Sequence, residues 1–138
     1  VLEAMARRAP RPPRFAYVAA ALHALELLAN GVTTVVDHFR HGALPTLDGV
    51  DAAMRAYADA GIRAVLAPMY EDRPYIDSLP IDRSRLPGDI VARWRDVTLP
   101  PADAYFELMG ALLDRWGGHG RLGVMVGVDG PQRCTEQL

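Results

Sequence analysis

The 138-residue sequence predicts an α/β fold built on a parallel sheet. Three observations carry this. Short apolar runs at 32–36 (VTTVV), 62–67 (IRAVLA) and 122–128 (LGVMVGV) read as buried strands. Segments of helical composition at 15–30, 51–60 and 101–116 precede them in turn. Strands that alternate with helices are joined by right-handed parallel crossovers.

Each element has its own warrant. Alanine, leucine and glutamate dominate 15–30, and Val18, Leu22, Leu25 and Leu28 recur near a 3.6 period, with Gly31 as the stop. The helix at 51–60 is entered through Asp48-Gly49 and ends at Gly61. Prolines sit in the first turn of the third helix, and Gly117-Gly118 follow it. Before the first helix, residues 1–14 read as a connector, because RRAPRPPR over 7–14 holds four arginines and three prolines. The stretch 68–100 carries nearly half of the 11 prolines, and only 89–97 (DIVARWRDV) reads as helical. So long a connection predicts a lid or binding loop, and it leaves from a strand's C-terminal end, the ligand face of α/β folds. The expected organisation is therefore 1–14 connector, 15–67 two βα units, 68–100 loop, and 101–138 helix, strand and the start of a further helix. Three strands neither close a barrel nor cover a doubly wound sheet. The chain also opens on Val1 and stops just after Cys134, where a helix is expected. Both features predict a segment of a longer protein.

Composition removes several functions. A net charge of −2 gives no electrostatic reason for nucleic acid or an anionic membrane as partner. No apolar run approaches a membrane span, and there is no signal-peptide pattern. One cysteine forbids an internal disulfide, and the expected location is the cytoplasm. All 15 basic residues are arginine. Schiff-base, pyridoxal-phosphate and P-loop chemistry each need a lysine, so none is complete here. Neither Ser78 nor Ser84 lies in a G-x-S-x-G turn.

The phrase LELLANGVTTVVDH at 25–38 resembles the second βα unit of the amidohydrolase superfamily, in the branch of cytosine, guanine, S-adenosylhomocysteine and triazine deaminases and hydrolases. AMRAYADAGIRAVLAPM at 53–69 resembles the same family's third strand with its helix, and GVMVGVDGPQRCTEQL at 123–138 its fourth strand and following loop. The resemblance implies a partial (β/α)8 barrel, three parallel strands with intervening helices. It also implies a divalent metal, zinc or iron, in the full-length parent, where it activates water for attack on a C–N bond of a heterocycle or small amide. The family's ligands are a His-x-His pair on strand one, histidines on strands five and six, and an aspartate on strand eight. None maps onto this chain, which has no His-x-His. No catalytic or metal residue is therefore assigned, and the segment alone is expected to be inactive.

The candidate substrate-binding residues are Asp37, His38, Tyr70, Glu71, Asp129 and Gln132, all close behind a strand. Tyr70 offers a stacking face and Glu71 an acceptor for ring N–H groups. The family's general acid/base follows a later strand, so Glu71 is not given that role. Many relatives hold a histidine near Asp129; an aspartate there puts a ribosyl-nucleoside substrate in doubt. Arg133 could grip a substrate carboxylate or pair with a surface acid. His38 and His41 form an H-x-x-H, but a metal needs a third ligand, and His23 and His119 lie in a helix and a glycine-rich turn. Arg63, inside a strand, is expected in a structural ion pair, and Cys134 in helix-start packing. Expected partners are a small-molecule substrate, the remainder of the barrel and further copies of the chain, since the outer strands lack neighbours. The alternative is a non-enzymatic α/β module that binds a ligand or partner through the proline-rich loop.

Overall fold

A computed structural model describes residues 11–42, 44–96 and 98–137. Helix α1 (Pro13–Ala29) leads into strand β1 (Thr34–Phe39), helix α2 (Leu47–Ala60) and strand β2 (Arg63–Tyr70). Two short helices, α3 (Tyr75–Ser78) and α4 (Gly88–Arg95), lie in the long connection to helix α5 (Ala102–Trp116). Strands β3 (Leu122–Val124) and β4 (Gly127–Val128) follow. The sheet is parallel in the order β1-β2-β3, with β4 also on β2.

Several boundaries differ from expectation. β1 starts two residues late and runs through Asp37 and His38, so both lie within the strand. Asp48-Gly49 belongs to α2, whose start is set by Thr46: its hydroxyl accepts the Gly49 N–H at 3.1 Å. Gly61 ends α2 at φ 75°, where a side chain would be strained. β2 extends through Met69 and Tyr70. α4 ends at Arg95, and Val97 lies outside the described residues, as does the 1–10 part of the connector. Beyond Cys134 no helix starts among the described residues; a single 3-10 turn, Pro131–Arg133, precedes it. Arg63 is exposed at the head of β2, so its charge needs no buried partner.

The expected strand at 122–128 is split, and Pro68 explains why. In β2 the even-numbered residues turn their backbone groups toward β3 and β4: Ala64 N–H donates to Arg121 O, and Leu66 O accepts from Met125 N–H. Pro68 takes the next such position and has no N–H to give. Its carbonyl is not met directly either. The Tyr105 hydroxyl of α5 donates to Pro68 O at 2.9 Å and accepts from Gly127 N–H at 2.8 Å. A phenol thus replaces one rung of the ladder, after which pairing resumes with Asp129 N–H to Tyr70 O at 2.9 Å. The strands still approach closely: a Cβ on Gly127 would stand 2.8 Å from the Ala67 Cβ and 2.9 Å from its carbonyl carbon.

Side chains alternate across a strand. Val35, Phe39, Ala64, Leu66 and Tyr70 join the buried core with α2 and α5, whereas Val36 and His38 take the opposite, open face, where Val36 is 63% exposed. In α1 the buried stripe is Ala16, Ala20 and Ala24, not the predicted leucine face. Small residues at i, i+4 and i+8 let α1 approach the alanine-rich α2 closely. That leaves Val18, Leu22 and Leu25 exposed, Leu22 by 61%. Behind the sheet, Asp51 is fully buried and joins α2 to α5. Its carboxylate accepts Trp116 Nε1–H at 2.8 Å and pairs with Arg55 at 2.6 Å and Arg115 at 2.8 Å.

Candidate functional site at the carboxyl ends of the strands

The first residues beyond β1, β2 and β4 are Arg40, Glu71 and Asp129. Parallel pairing brings these three ends to one rim. The 3-10 turn after Gly130 carries Arg133 back to it. The four side chains close a ring. Arg40 lies 2.7 Å from Asp129 and 3.6 Å from Glu71. Arg133 lies 2.9 Å from Glu71 and also pairs with Asp129. Each acid thus meets both cations, and the charges balance. All four are largely but not wholly covered, a setting in which ion pairs are stronger than on an open surface. The Arg133 guanidinium also lies 3.8 Å above the Tyr75 ring.

The ring ties the long connection to the strand ends. Asp72 accepts the Thr135 N–H at 2.8 Å and its hydroxyl at 2.5 Å, and the Arg133 carbonyl accepts the N–H groups of Asp72 and Arg73. At the connection's other end the Tyr70 hydroxyl donates to Pro100 O at 2.5 Å. Cys134 donates to Gly130 O at 3.2 Å, and burial pushes its thiol pKa up, away from the reactive thiolate.

Of the six predicted residues, the rim unites Glu71 and Asp129. Gln132 is exposed in the adjoining 3-10 turn, and His38 stands exposed on the open face of β1. Asp37 and Tyr70 do not join them. Both point into the helix layer, where Asp37 accepts the Tyr57 hydroxyl at 2.7 Å and Tyr70 stacks on Tyr105 with centroids 4.8 Å apart. Burial, reinforced by Asp37, raises the Tyr57 pKa; burial, reinforced by the nearby Asp72, raises that of Tyr70. Arg40 was not foreseen. With the strand ended at Val36 it fell in mid-loop, although it is the first cation after the β-branched run. The two histidines of H-x-x-H diverge: His41 is buried and stacks on Phe39, on the helix side. Among the described residues no three His, Cys, Asp or Glu side chains converge to hold a metal. Glu71 and Asp129 are each committed to guanidinium groups. The described residues therefore do not fit a metal centre. No helix among the described residues is long and apolar enough to cross a membrane.

No family model and no curated protein matches the chain. Solved structures do. A doubly substituted triazine hydrolase variant matches over 91% of this chain and 26% of its own, at 22% identity and a TM-score of 0.69. A mutant of atrazine chlorohydrolase TrzN from Arthrobacter aurescens TC1, complexed with zinc and atraton, matches over 92% of this chain and 26% of its own, at 23% identity and a TM-score of 0.65. A second triazine hydrolase variant gives 91%, 26%, 23% identity and 0.64. The chain spans about a quarter of the length of these structures. Its fold is that of part of a (β/α)8 barrel, and the resemblance to the triazine hydrolase branch holds at the level of fold.

Proposed function

We propose that this chain forms one wall of a barrel whose mouth hydrolyses a C–N bond, in a heterocycle or small amide, with a divalent metal held by strands other than these. The observation that carries the reading is the rim. The parallel strands β1, β2 and β4 are each followed directly by a charged residue, and all three side chains meet there. In barrels of this type catalysis gathers at that end of the strands. On this reading Asp129 and Glu71 present carboxylate acceptors to ring or amide N–H groups, while Arg40 and Arg133 hold them in place. His38 and Gln132 flank the rim, and Asp37 and Tyr70 support the wall from behind. The ring's neutral balance suits an uncharged substrate, because neither sign of charge is in excess.

The test is steady-state kinetics on the full-length, metal-loaded protein, following ammonia or amine release from triazines, pyrimidines and small amides. Asp129→Asn is expected to lower kcat/KM about tenfold or more, which is ~1.4 kcal/mol of transition-state stabilisation. Its metal content should be unchanged. Unfolding stability should fall by about 1–3 kcal/mol, since the pairs are largely covered but Glu71 still engages both arginines. Unchanged kinetics with a clear fall in Tm would show that Asp129 only braces the rim.

A further inference from the structure

His41 is the one buried side chain among the described residues whose polar atom, Nε2, has no hydrogen-bond partner. It is 7% exposed. One face of its ring lies on Phe39, with centroids 5.7 Å apart and planes 10° from parallel. The ring also fills the space over Gly49 in the first turn of α2. A Cβ there would come within 2.8 Å of Nδ1 and 2.9 Å of Cε1. The imidazole is therefore slotted between the end of β1 and the start of α2, and the next residue back is Arg40, which spans Glu71 and Asp129.

We propose that His41 is a positioning residue: neutral and slotted, it fixes the β1–α2 loop so that Arg40 reaches both rim carboxylates, and protonation expels it and releases that end of the ring. The slot is hostile to an imidazolium. No acceptor meets Nε2, so a buried charge would go uncompensated. The start of α2 adds the positive end of a helix dipole. The charged groups on the elements around it are Arg11 ahead of α1, Asp37 on the helix side of β1, Arg40 in the same loop, and Asp48, Asp51, Arg55 and Asp59 in α2; the Asp37 carboxylate is engaged by the Tyr57 hydroxyl and Asp59 by that of Tyr17. Arg11 opposes the imidazolium directly, and burial is the larger effect; together they lower the His41 pKa below 6.5. Asp51 is occupied by Trp116, Arg55 and Arg115, and Asp48 is exposed. With the folded pKa depressed, the unfolded or open chain binds the extra proton first. The stability His41 lends is present above about pH 6.5 and is lost as pH falls below it.

The proposal is independent of which bond the barrel hydrolyses, and its test needs no substrate. Hydrogen–deuterium exchange at the imidazole C2 position, read residue by residue by mass spectrometry, gives each histidine's titration midpoint. His41 is expected to exchange several-fold more slowly than an unhindered imidazole and to titrate below the ordinary histidine value. In the same samples, amide exchange corrected for intrinsic rates should rise about tenfold in 38–46 and in 127–137 together, between about pH 7 and pH 5. His41→Leu should abolish the rise. A His41 midpoint at or above the ordinary histidine value would overturn the proposal. So would a rise that persists in His41→Leu, or an opening of 38–46 that leaves 127–137 unchanged. The wild-type measurements decide the matter even if the variant does not fold.

Discussion

Replacing Asp51 should separate two effects that the buried carboxylate combines. In Asp51→Asn the remaining carbonyl can still accept Trp116 Nε1–H, but the amide nitrogen that replaces Oδ2 cannot accept from Arg55 or Arg115, so both of those bonds are lost. Hydrogen bonds to charged groups contribute ~1.5–3 kcal/mol each in favourable settings. Here the two arginine side chains are 60% and 50% exposed, so water takes them back readily and the figure must be discounted. About 2 kcal/mol in total is expected for the asparagine. Asp51→Ala removes the acceptor as well. The indole N–H then stays beneath the α2–α5 contact with nothing to meet it, which adds ~1–3 kcal/mol. The alanine variant should therefore lose ~3–5 kcal/mol. Urea unfolding followed by tryptophan fluorescence measures both losses, and a cycle with Trp116→Phe isolates the indole bond, because alanine's extra loss should shrink when the indole is gone. An alanine variant as stable as the wild type, or an asparagine variant as unstable as alanine, would refute this account of the site.

Two further outcomes follow from the sheet. Gly127→Ala should cost ~1–3 kcal/mol, because its Cβ would meet Ala67 backbone, which cannot give way. Gly123→Ala should be tolerated, since its nearest atom, Val65 Cγ2, is 3.8 Å away; equal effects in thermal unfolding would contradict the packing. The isolated chain should also self-associate in light scattering, because β1 and β3 each pair on one side only among the described residues and apolar Val18, Leu22 and Leu25 are exposed. A monodisperse monomer with cooperative unfolding would count against its being a barrel wall.

Periodicity made the order of helices and strands legible, because each strand is a continuous apolar run closed by a turn signal. Boundaries suffered where tertiary structure overrode local pattern. Asp37 looks like the end of a strand, yet Tyr57 from α2 supplies a buried partner and the strand continues past it. The leucines of α1 have the right spacing for a core face, but the neighbouring helix is alanine-rich, and the close Ala16-Ala20-Ala24 seam won. At the rim, Glu71 and Asp129 could be found as the first charges after their strands. Arg40 follows the same rule and was hidden only by the misplaced end of β1. That Asp37 and Tyr70 face the helices follows from alternation, but only once the register is known.

The phenol set into the ladder at Pro68 makes those two residues an epistatic pair. While position 68 is a proline, losing the Tyr105 hydroxyl strands the Gly127 N–H and leaves the neighbouring carbonyl without a donor. An N–H at position 68 would restore the rung to the Met125 carbonyl, and with the strands drawn together Gly127 N–H could meet the position-68 carbonyl directly, so the hydroxyl becomes partly redundant. The tolerated sequence at one site thus depends on the other, 37 residues away. The dependence also has a mechanical side. A ladder rung has a fixed length, but this one is two bonds in series through a hydroxyl carried by α5. Any shift of that helix is passed, as through a lever, to a strand whose next residue is Asp129. Changes on the outer surface of α5 can therefore retune the rim without touching it.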